Sequence, residues 1–276
     1  MPEVSVVITT HNRCDRLPRA VESVLKQSLA ERELIVVDDA STDATPAVVR
    51  RYEARGWLRG LRIEESRGAN HARAAGLRAA SGRYVAFLDD DDCWLPEKLA
   101  RQVQVLDSRS DVALVGCWFL RRGQVQRPPP VVPIGALLSE NIVGGFSMCM
   151  FRRADVLAVG GLDETLQSSQ DWDLWLRLAE RGRVVCVPEC LVDYYLGASD
   201  QITKRRDRAV LYRNYLTVVK RYEHKMGFLT REKHRYVVAY HTTPRSRLLS
   251  KGYAGACYWV VRLLDRLVVR WAILCA

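Results

Sequence analysis

Apolar and polar positions follow two alternating periods over the first 120 residues, and these periods predict alternating strands and helices. Short apolar runs that end in polar residues are typical of buried strands, and they lie at 4–9, 34–37, 61–65, 84–88 and 112–119. Segments with apolar residues every three or four positions are typical of helices, and they lie at 16–27, 45–55, 71–80 and 95–108. This alternation predicts an α/β fold, with a mostly parallel sheet and helices on both faces.

The pattern is less regular after Arg121. Prolines at 128–130 and 133 predict a stiff connector, and Gly160-Gly161 predicts a turn. Further strands are expected at 147–151, 184–187 and 191–195, and a helix at 171–181. From Lys204 the sequence is helical in pattern and basic. We therefore expect an α/β domain over residues 1–203 and a basic helical extension over residues 204–276.

Composition identifies a globular protein, since 48% of the 276 residues are hydrophobic. Met1-Pro2-Glu3 leads directly into the first predicted strand without a signal peptide, which predicts a cytoplasmic protein. Its eight cysteines are then expected to be reduced. One close pair, Cys186 and Cys190, does not make a zinc site, and packed thiols are the preferred interpretation.

Charge is distributed unevenly along the chain. Residues 204–276 contain 17 Lys and Arg against 4 Asp and Glu, whereas residues 1–203 contain 25 against 28. This asymmetry predicts an acidic partner for the C-terminal segment, either an anionic membrane surface or nucleic acid. Residues 256–276 are almost entirely apolar apart from Asp265 and a stripe of Arg262, Arg266 and Arg270, a pattern typical of a helix that lies in a membrane interface. The alternative is an amphipathic helix packed on the domain or on a partner subunit.

Four carboxylates, Asp89 to Asp92, follow the apolar run 84–88 directly. Adjacent carboxylates repel one another unless something neutralises them. Hard divalent cations prefer oxygen ligands and often bridge a carboxylate to a substrate phosphate. The run therefore predicts a metal and phosphate site at the end of a buried strand, where open α/β sheets bind ligands. The alternative is a solvated acidic turn before the helix that follows Pro96.

Three further motifs place polar groups near the predicted strand ends. Thr9 to Arg13 and Asp38-Asp39 follow the first two strands, and Arg67 to Arg73 offers two guanidiniums near a helix start. Each is also compatible with ordinary helix capping or a solvated helix face. No Gly-x-Gly-x-x-Gly follows the first strand and no P-loop motif occurs in the chain, so these two nucleotide sites are not expected.

An acidic helix start follows later in the chain, at Gln170-Asp171-Trp172-Asp173. Asp171 is a candidate general base. Asp173, two residues on, is expected to face another side of the helix. The alternative for both is plain dipole capping.

Together these motifs resemble glycosyltransferase family 2, the inverting nucleotide-sugar enzymes with a GT-A fold, over roughly residues 1–200. The resemblance implies that Thr9 and Asp39 hold the base and ribose and that Arg73 lies near the diphosphate. It implies a general base at Asp171 and an Asp-x-Asp pair at Asp89 and Asp91 that binds Mn²⁺ or Mg²⁺, with Asp91 the direct ligand. The other residues assigned to nucleotide-sugar binding are Arg13, Asn70 and Asp90, together with Asp89.

Two positions depart from the family pattern. Gln170 stands where the family often has Glu before the base, which alters the field around Asp171. No His follows Tyr194, where the family often has a further metal or phosphate contact. Metal binding is then expected to rest on the aspartates and the diphosphate.

The expected function is transfer of a sugar from a nucleotide-diphosphate donor, with UDP preferred, to a hydroxyl of a glycan or lipid-linked acceptor in polysaccharide biosynthesis. The expected location is the cytoplasmic face of an anionic membrane, without nucleic acid as a partner and with the oligomeric state left open. One alternative is a sugar-phosphate nucleotidyltransferase. Such an enzyme is expected to have a Gly-rich N-terminal loop, and residues Ile8 to Arg13 contain no Gly. The others are a non-catalytic binder that uses the basic tail and an inactive scaffolding member of the family.

Overall fold

The computed structural model describes residues 2–195 and 208–242. Ten strands of this part form one sheet. They are β1 (Val4–Thr10), β2 (Arg32–Asp39), β3 (Arg59–Ile63), β4 (Tyr84–Asp89), β5 (Cys93–Trp94), β6 (Val112–Arg121), β7 (Gln124–Gln126), β8 (Val131–Val132), β9 (Met150–Arg152) and β10 (Arg183–Tyr194). The helices that surround the sheet are α1 (Leu17–Leu25), α2 (Thr45–Glu53), α3 (Ala69–Ala79), α4 (Lys98–Ser108), α5 (Ile134–Ser139), α6 (Arg153–Ala158), α7 (Gln170–Ala179), α8 (Arg208–Tyr222) and α9 (Phe228–Thr242).

The strands lie in the order β3-β2-β1-β4-β9-β6-β10-β5. β3, β2, β1 and β4 are parallel, and the register places Thr9 beside Asp89 and Thr10 beside Asp38. β9 is antiparallel to both of its neighbours, and β10 is parallel to β6. The carboxyl ends of β1, β2 and β4 therefore meet at one edge of the sheet, as expected for this fold class.

Close packing of α3 on the sheet depends on Gly76. A Cβ at this position would lie 2.3 Å from the Val7 Cγ1 atom and 3.2 Å from the Val37 Cγ2 atom. Only a residue without a side chain fits between the helix and these buried strands. The approach holds the N-terminal half of α3, with Arg73, near the carboxyl ends of β1 and β2.

Several boundaries differ from the sequence prediction because of tertiary pairing. The helix expected from residue 95 begins at Lys98, since Cys93 and Trp94 pair with the end of β10. The two strands expected at 184–187 and 191–195 form the single strand β10, with irregular register between Val187 and Cys190. The strand expected at 147–151 is a 3₁₀ turn, Phe146–Met148, followed by β9. The short helices α5 and α6 were not predicted.

The described part of the basic extension packs on the α/β domain. Val218, Val219, Tyr222 and Met226 are buried in the same hydrophobic core as the sheet residues. No described helix is long and apolar enough to cross a membrane. The boundary predicted at residues 203 and 204 and the amphipathic helix predicted over 256–276 both lie outside the described residues, so the division into a domain and an extension stays a prediction.

Candidate active site

A cavity of about 640 Å³ opens at the carboxyl ends of β1, β2 and β4 and extends to the first turn of α7. Eight of the nine predicted site residues line it. They are Thr9, Arg13, Asp39, Arg73, Asp89, Asp90, Asp91 and Asp171. Residues that are up to 162 positions apart in sequence thus share one cavity, because parallel strands end at the same edge of a sheet.

The two adjacent aspartates at the end of β2 have separate surroundings. Asp39 lines the cavity, where its carboxylate accepts hydrogen bonds from Ser66 Oγ (2.8 Å) and from the backbone N–H groups of Arg67 (3.1 Å) and Gly68 (2.9 Å). Asp38 is buried and pairs with Arg62 at 2.5 Å. The loop before α3 is therefore held by Asp39, which keeps acceptor capacity toward the cavity, since a carboxylate offers about four lone-pair sites.

Asn12 joins the loops that follow β1 and β2. It has a positive φ of 53°, a conformation that Asn tolerates better than most residues. Its Oδ1 atom accepts from the backbone N–H of Thr42 at 2.7 Å, and its own N–H donates to Ser41 Oγ at 2.9 Å. Next to it, His11 Nδ1 lies 2.5 Å from the backbone oxygen of Asp39. This bracing fixes the cavity wall near Thr9 and Asp39.

The acidic turn after β4 directs its carboxylates to different partners. Asp89 pairs with Arg73. Arg13 Nη1 lies 3.7 Å from Asp90 Oδ1 and 3.5 Å from Asp91 Oδ2. Asp92 points away and accepts from the backbone N–H of Tyr195 at 3.0 Å.

Negative charge remains in excess at this turn. Burial raises the pKa of Asp90 to about 7, although the Arg13 guanidinium acts in the opposite direction. The pKa of Asp91 is also raised, by burial first and then by the Asp89 charge. The turn has four carboxylates and two arginine partners, Arg13 and Arg73, so a divalent cation would offset the remaining negative charge there.

The chemistry of the turn fits a hard cation. Asp89 and Asp91 offer carboxylate oxygens at the cavity wall, the ligand type of Mg²⁺ and Mn²⁺. Within residues 2–195 and 208–242, no group of three or more His, Cys, Asp or Glu side chains could hold a metal ion on its own. A cation held by these two aspartates would need water and substrate phosphate oxygens to complete its coordination, which is common for Mg²⁺.

Asp171 lies in the first turn of α7, across the cavity from the acidic turn. Its Oδ1 atom accepts from the backbone N–H of Trp172 at 2.8 Å, and its Oδ2 atom accepts from Asn141 Nδ2 at 3.0 Å. Burial raises the pKa of Asp171, while hydrogen bonding by Trp172 and the Arg73 charge oppose this shift. A carboxylate with a raised pKa is a stronger base than an exposed one, which suits proton abstraction.

Asp173 faces the other side of α7, as the helical period predicts. It is fully buried and pairs with Arg177 at 2.8 Å and with Arg221 of α8 at 2.7 Å. This aspartate is structural and does not line the cavity.

Arg73 connects the two acidic parts of the site. Beside its pairing with Asp89, its Nη1 atom lies 3.5 Å from Gln170 Oε1, and its Cζ atom lies 4.4 Å from the centre of the Phe146 ring. The guanidinium is thus held between the acidic turn and the first turn of α7. Gln170 stands where the family often has a Glu, and because its amide is neutral it adds no negative charge beside Arg73.

Asn70 is the one predicted site residue that the structure places away from the cavity wall. It is buried, and its Nδ2 atom donates to the backbone oxygens of Asp163 (2.5 Å) and Leu166 (3.3 Å). Its amide nitrogen anchors the loop before α7, and a contact of Asn70 with the nucleotide-sugar stays a prediction.

Sequence reasoning missed several residues of the site. Asn141, Ser66, Phe146 and Tyr194 were not assigned to it, although Phe146, Ser66 and Tyr194 line the cavity. Asn141 precedes Gly144-Gly145, and this glycine pair was the available signal of a tight turn near the base. The family often has a His a few residues after the position of Tyr194, and this chain has none there. From residue 196 these positions lie outside the described residues.

Comparison with known proteins identifies the family. The sequence model described as "Glycosyl transferase family 2" matches residues 5–156, more than half of the chain. The chain belongs to glycosyl transferase family 2. The resemblance and the enzyme class expected from the sequence, a glycosyltransferase, are confirmed at the level of this family.

Curated family 2 relatives cover most of the chain. TuaG of Bacillus subtilis, named a putative teichuronic acid biosynthesis glycosyltransferase, is 33% identical over 71% of this chain and 79% of its own length. An uncharacterized glycosyltransferase of Haemophilus influenzae is 29% identical over 64% of this chain and 62% of its own length, so the match spans less than two thirds of that relative. WfaP of Escherichia coli, named a UDP-Glc:alpha-D-GlcNAc-diphosphoundecaprenol beta-1,3-glucosyltransferase, is 27% identical over 66% of this chain and 72% of its own length.

Solved structures confirm the GT-A fold. S. aureus TarS 1–349, crystallised with UDP-GlcNAc, superposes with a TM-score of 0.68 at 20% identity and covers 79% of this chain and 65% of its own. The mannosyltransferase PcManGT of Pyrobaculum calidifontis, solved with GDP-Man and Mn²⁺, superposes with a TM-score of 0.62 at 21% identity over 99% of this chain and 85% of its own. At such low identity these likenesses concern the fold.

Proposed function

We propose that the protein is a metal-assisted inverting glycosyltransferase that moves a sugar from a nucleoside diphosphate donor to an acceptor hydroxyl. The proposal rests on how charged side chains are arranged around the cavity. A partly buried carboxylate with a raised pKa, Asp171, shares the cavity with an acidic turn that contains Asp89 and Asp91, and Arg73 is held between them. A single displacement needs these parts: a base on one side of the anomeric carbon and a site for the leaving diphosphate on the other.

The residues of the cavity have distinct roles in this reaction. The oxygen of the acceptor hydroxyl forms the new bond to the anomeric carbon, and Asp171 accepts the proton that this hydroxyl loses. The bond from the anomeric carbon to the diphosphate oxygen breaks in the same step. Because the attack comes from the face opposite the leaving group, the anomeric configuration inverts. Arg73 and Arg13 bind the diphosphate, and Thr9 and Asp39 contact the nucleoside. A cation held by Asp91 and Asp89, when bound, supplies further positive charge for the departing diphosphate.

UDP-sugars are the preferred donors in this proposal, and a glycan or a lipid-linked sugar is the acceptor. The names of relatives support both choices, since TarS was solved with UDP-GlcNAc and the name of WfaP gives a UDP-Glc donor and a diphosphoundecaprenol-linked acceptor. Mn²⁺ or Mg²⁺ is the proposed cation, and the Mn²⁺ of the mannosyltransferase supports it. The biosynthetic role of TuaG supports polysaccharide biosynthesis as the setting.

A lipid-linked acceptor suits a protein at the cytoplasmic face of an anionic membrane. The basic, apolar sequence of residues 256–276 is the proposed attachment segment, although it lies outside the described residues. Within the described part, Phe228 and Leu229 at the start of α9 are 69% and 47% exposed. Exposed apolar side chains beside a basic chain are typical of interfacial contacts.

A thermal-shift screen tests donor binding directly. The probes are UDP, GDP and dTDP and their sugars, each with and without Mn²⁺ or Mg²⁺. At 100 times the dissociation constant, a ligand that binds the native state adds about 2.7 kcal/mol of stability. We expect one nucleoside diphosphate series to raise the unfolding temperature, and to do so only with the cation.

A transfer assay then separates the proposal from its alternatives. Release of the nucleoside diphosphate, dependent on an acceptor and on the cation, is the expected result. Release of pyrophosphate from a nucleoside triphosphate and a sugar phosphate would instead identify a nucleotidyltransferase. Absence of any cation-dependent shift with all three nucleotide series would contradict the proposed function.

A further inference from the structure

The amide of Asn141 contacts the proposed base in an orientation fixed by the backbone. Asn141 Oδ1 accepts from the backbone N–H of Gly144 at 3.3 Å, and Asn141 Nδ2 donates to the backbone oxygen of Gly144 at 3.1 Å. If the amide oxygen and nitrogen were exchanged, the oxygen would face two acceptors, Gly144 O and Asp171 Oδ2, and the nitrogen would face the N–H donor of Gly144. The second N–H of the amide is therefore directed at Asp171 Oδ2, 3.0 Å away.

Gly144 is itself held in the conformation that this arrangement needs. Its φ is +99°, in the left-handed region, and a Cβ would lie 3.2 Å from the Phe119 ring and 3.3 Å from Met148. Its oxygen also accepts from Trp175 Nε1 at 3.0 Å, so the loop is tied to α7 one turn after Asp171. The donor and the carboxylate are thus attached to the same helix.

A fixed N–H donor distinguishes between the two states of a carboxyl group. It stabilises the ionised form, because a carboxylate accepts this bond, and favours it over the protonated form. Asp171 receives such a bond on each oxygen, from Trp172 N–H and from Asn141. The two hydrogen bonds favour the ionised form of Asp171, which is the form that acts as a base, whereas burial favours the protonated form.

Other charged or titratable groups also face Asp171. Arg73 of α3 favours its ionised form, and Asp89 at the end of β4 disfavours it. Cys149, which precedes β9, interacts with the same carboxyl. Asn141 differs from all three because it bonds directly to the oxygen that faces Gly145 and the cavity.

We propose that Asn141 is a positioning residue of the reaction, whose backbone-locked amide orients Asp171 and holds it in the ionised form required for proton abstraction. The proposal rests on Asp171 as the base of the proposed function. Neither the family pattern nor the sequence motifs assign a role to Asn141.

The pH dependence of turnover tests this role. In Asn141→Ala the base loses one stabilising bond, so the acid limb of the kcat profile should move to higher pH by about one unit. In Asn141→Asp a carboxylate replaces the donor, and the coupled pair should move the limb further. The KM for the donor should stay within about twofold in both variants, since Asn141 does not line the nucleotide side of the cavity. Gln104→Ala, an exposed amide on α4, is the matched control and should not move the limb.

A stability measurement gives a second test that needs no activity. Asp171 has a raised pKa in the folded state, so its contribution to stability is present at low pH and is lost as pH rises through that pKa. Removal of Asn141 raises this pKa further, and Asn141→Ala should therefore cost more stability at pH 7 than at pH 4 by urea unfolding. In an Asp171→Asn background the cost should be the same at both pH values.

The outcomes separate this inference from the proposed function. An acid limb that moves by less than about 0.3 unit in both Asn141 variants, or an Asn141→Ala cost that is independent of pH while Asp171 is present, would overturn the role of Asn141. Wild-type turnover in Asp171→Asn would instead overturn the proposed base, whatever the stability measurements give.

Discussion

The carboxylates of Asp171 and Asp91 have opposite surroundings, and their proposed roles follow from this difference. Asp171 receives hydrogen bonds from neutral donors, Trp172 N–H and Asn141. Asp91 lies in a run of carboxylates, 3.5 Å from Arg13. The first surroundings suit a group that must take up a proton, and the second suit a group that must bind a cation. Substitution should therefore separate chemistry from binding.

Asp171→Asn is expected to cut turnover by two or more orders of magnitude, because the amide cannot accept the proton. The affinity for the nucleoside diphosphate should change little, since Asp171 is bonded to Trp172 and Asn141 and not to the loop that Asp39 holds. Turnover and nucleotide titration measure the two effects separately. Asp111→Asn, at an exposed position near the amino end of β6, is the matched control. A large loss of donor affinity in Asp171→Asn would point to a ligand role and not to a base.

Asp91→Asn is expected to abolish cation-dependent nucleotide binding and transfer, because a neutral amide is a poorer ligand for a hard cation. Calorimetric titration of the nucleotide with and without Mn²⁺ measures this loss. The variant should unfold at a temperature close to that of the wild type, since Asp91 lies beyond the end of β4. Asp91 is a better target than Asp89, whose loss would also release Arg73. Retained Mn²⁺ dependence in Asp91→Asn would contradict its assignment as a ligand.

At the scale of elements, α8 holds α7 in place behind the base. Arg221 of α8 donates to Asp163 at 2.5 Å and to Asp173 at 2.7 Å, and Tyr215 stacks on Trp172 with ring centres 5.4 Å apart. Trp172 and Asp173 directly follow Asp171. The position of the base therefore depends on a helix that lies beyond the family match.

Arg221→Met should destabilise the protein by about 1 to 2 kcal/mol, less than the loss expected for a fully buried pair, because Arg221 is partly exposed and Arg177 still pairs with Asp173. Turnover should fall while the donor affinity is retained, since the change acts on α7 and not on the nucleotide side. Urea unfolding and steady-state kinetics measure the two effects. Arg235→Met on α9, whose side chain is 67% exposed, is the control and should cost at most about 0.5 kcal/mol. Equal effects of both substitutions would show that Arg221 has no special role.

The sequence pattern predicted strands well where an apolar run is followed directly by polar residues at the strand end. β1, β2 and β4 each contain a mostly apolar run that ends in polar residues, so both the strands and the placement of Thr9, Asp39 and Asp89 followed from the pattern. Asn141 and Phe146 could not be predicted in this way, because their loop has no period and only tertiary packing brings it to α7. The position of Asn70 away from the cavity wall could not be predicted for the same reason, since its motif contains Arg73 but its own side chain turns toward the loop before α7.

Over the whole molecule, residues 1–203 carry a slight excess of acidic side chains and residues 204–276 a large excess of basic ones, and the described part of the second segment packs on the sheet domain. Helix α8 buries apolar side chains in the common core, and Lys233 of α9 donates to Ser139 Oγ at 2.9 Å. Residues 208–242 thus contribute to the fold around the base. A role in localisation is proposed for residues 256–276, which lie outside the described residues.

Deletion of residues 253–276 is expected to release the protein from anionic vesicles and to leave nucleotide binding intact. Each Lys or Arg near an anionic surface contributes about 1 kcal/mol, and the deleted segment contains Arg262, Arg266 and Arg270 beside its apolar residues. Co-sedimentation with phosphatidylserine vesicles at low and high salt measures the binding, and the thermal shift with nucleotide and Mn²⁺ measures the site. Substitution of the three arginines by Gln in the full chain should lower binding at low salt and reduce its salt dependence, because it removes charge but keeps the apolar face. If the full-length protein ignores these vesicles even at low salt, the segment does not attach to membranes, and packing on the domain or on a partner subunit is its role.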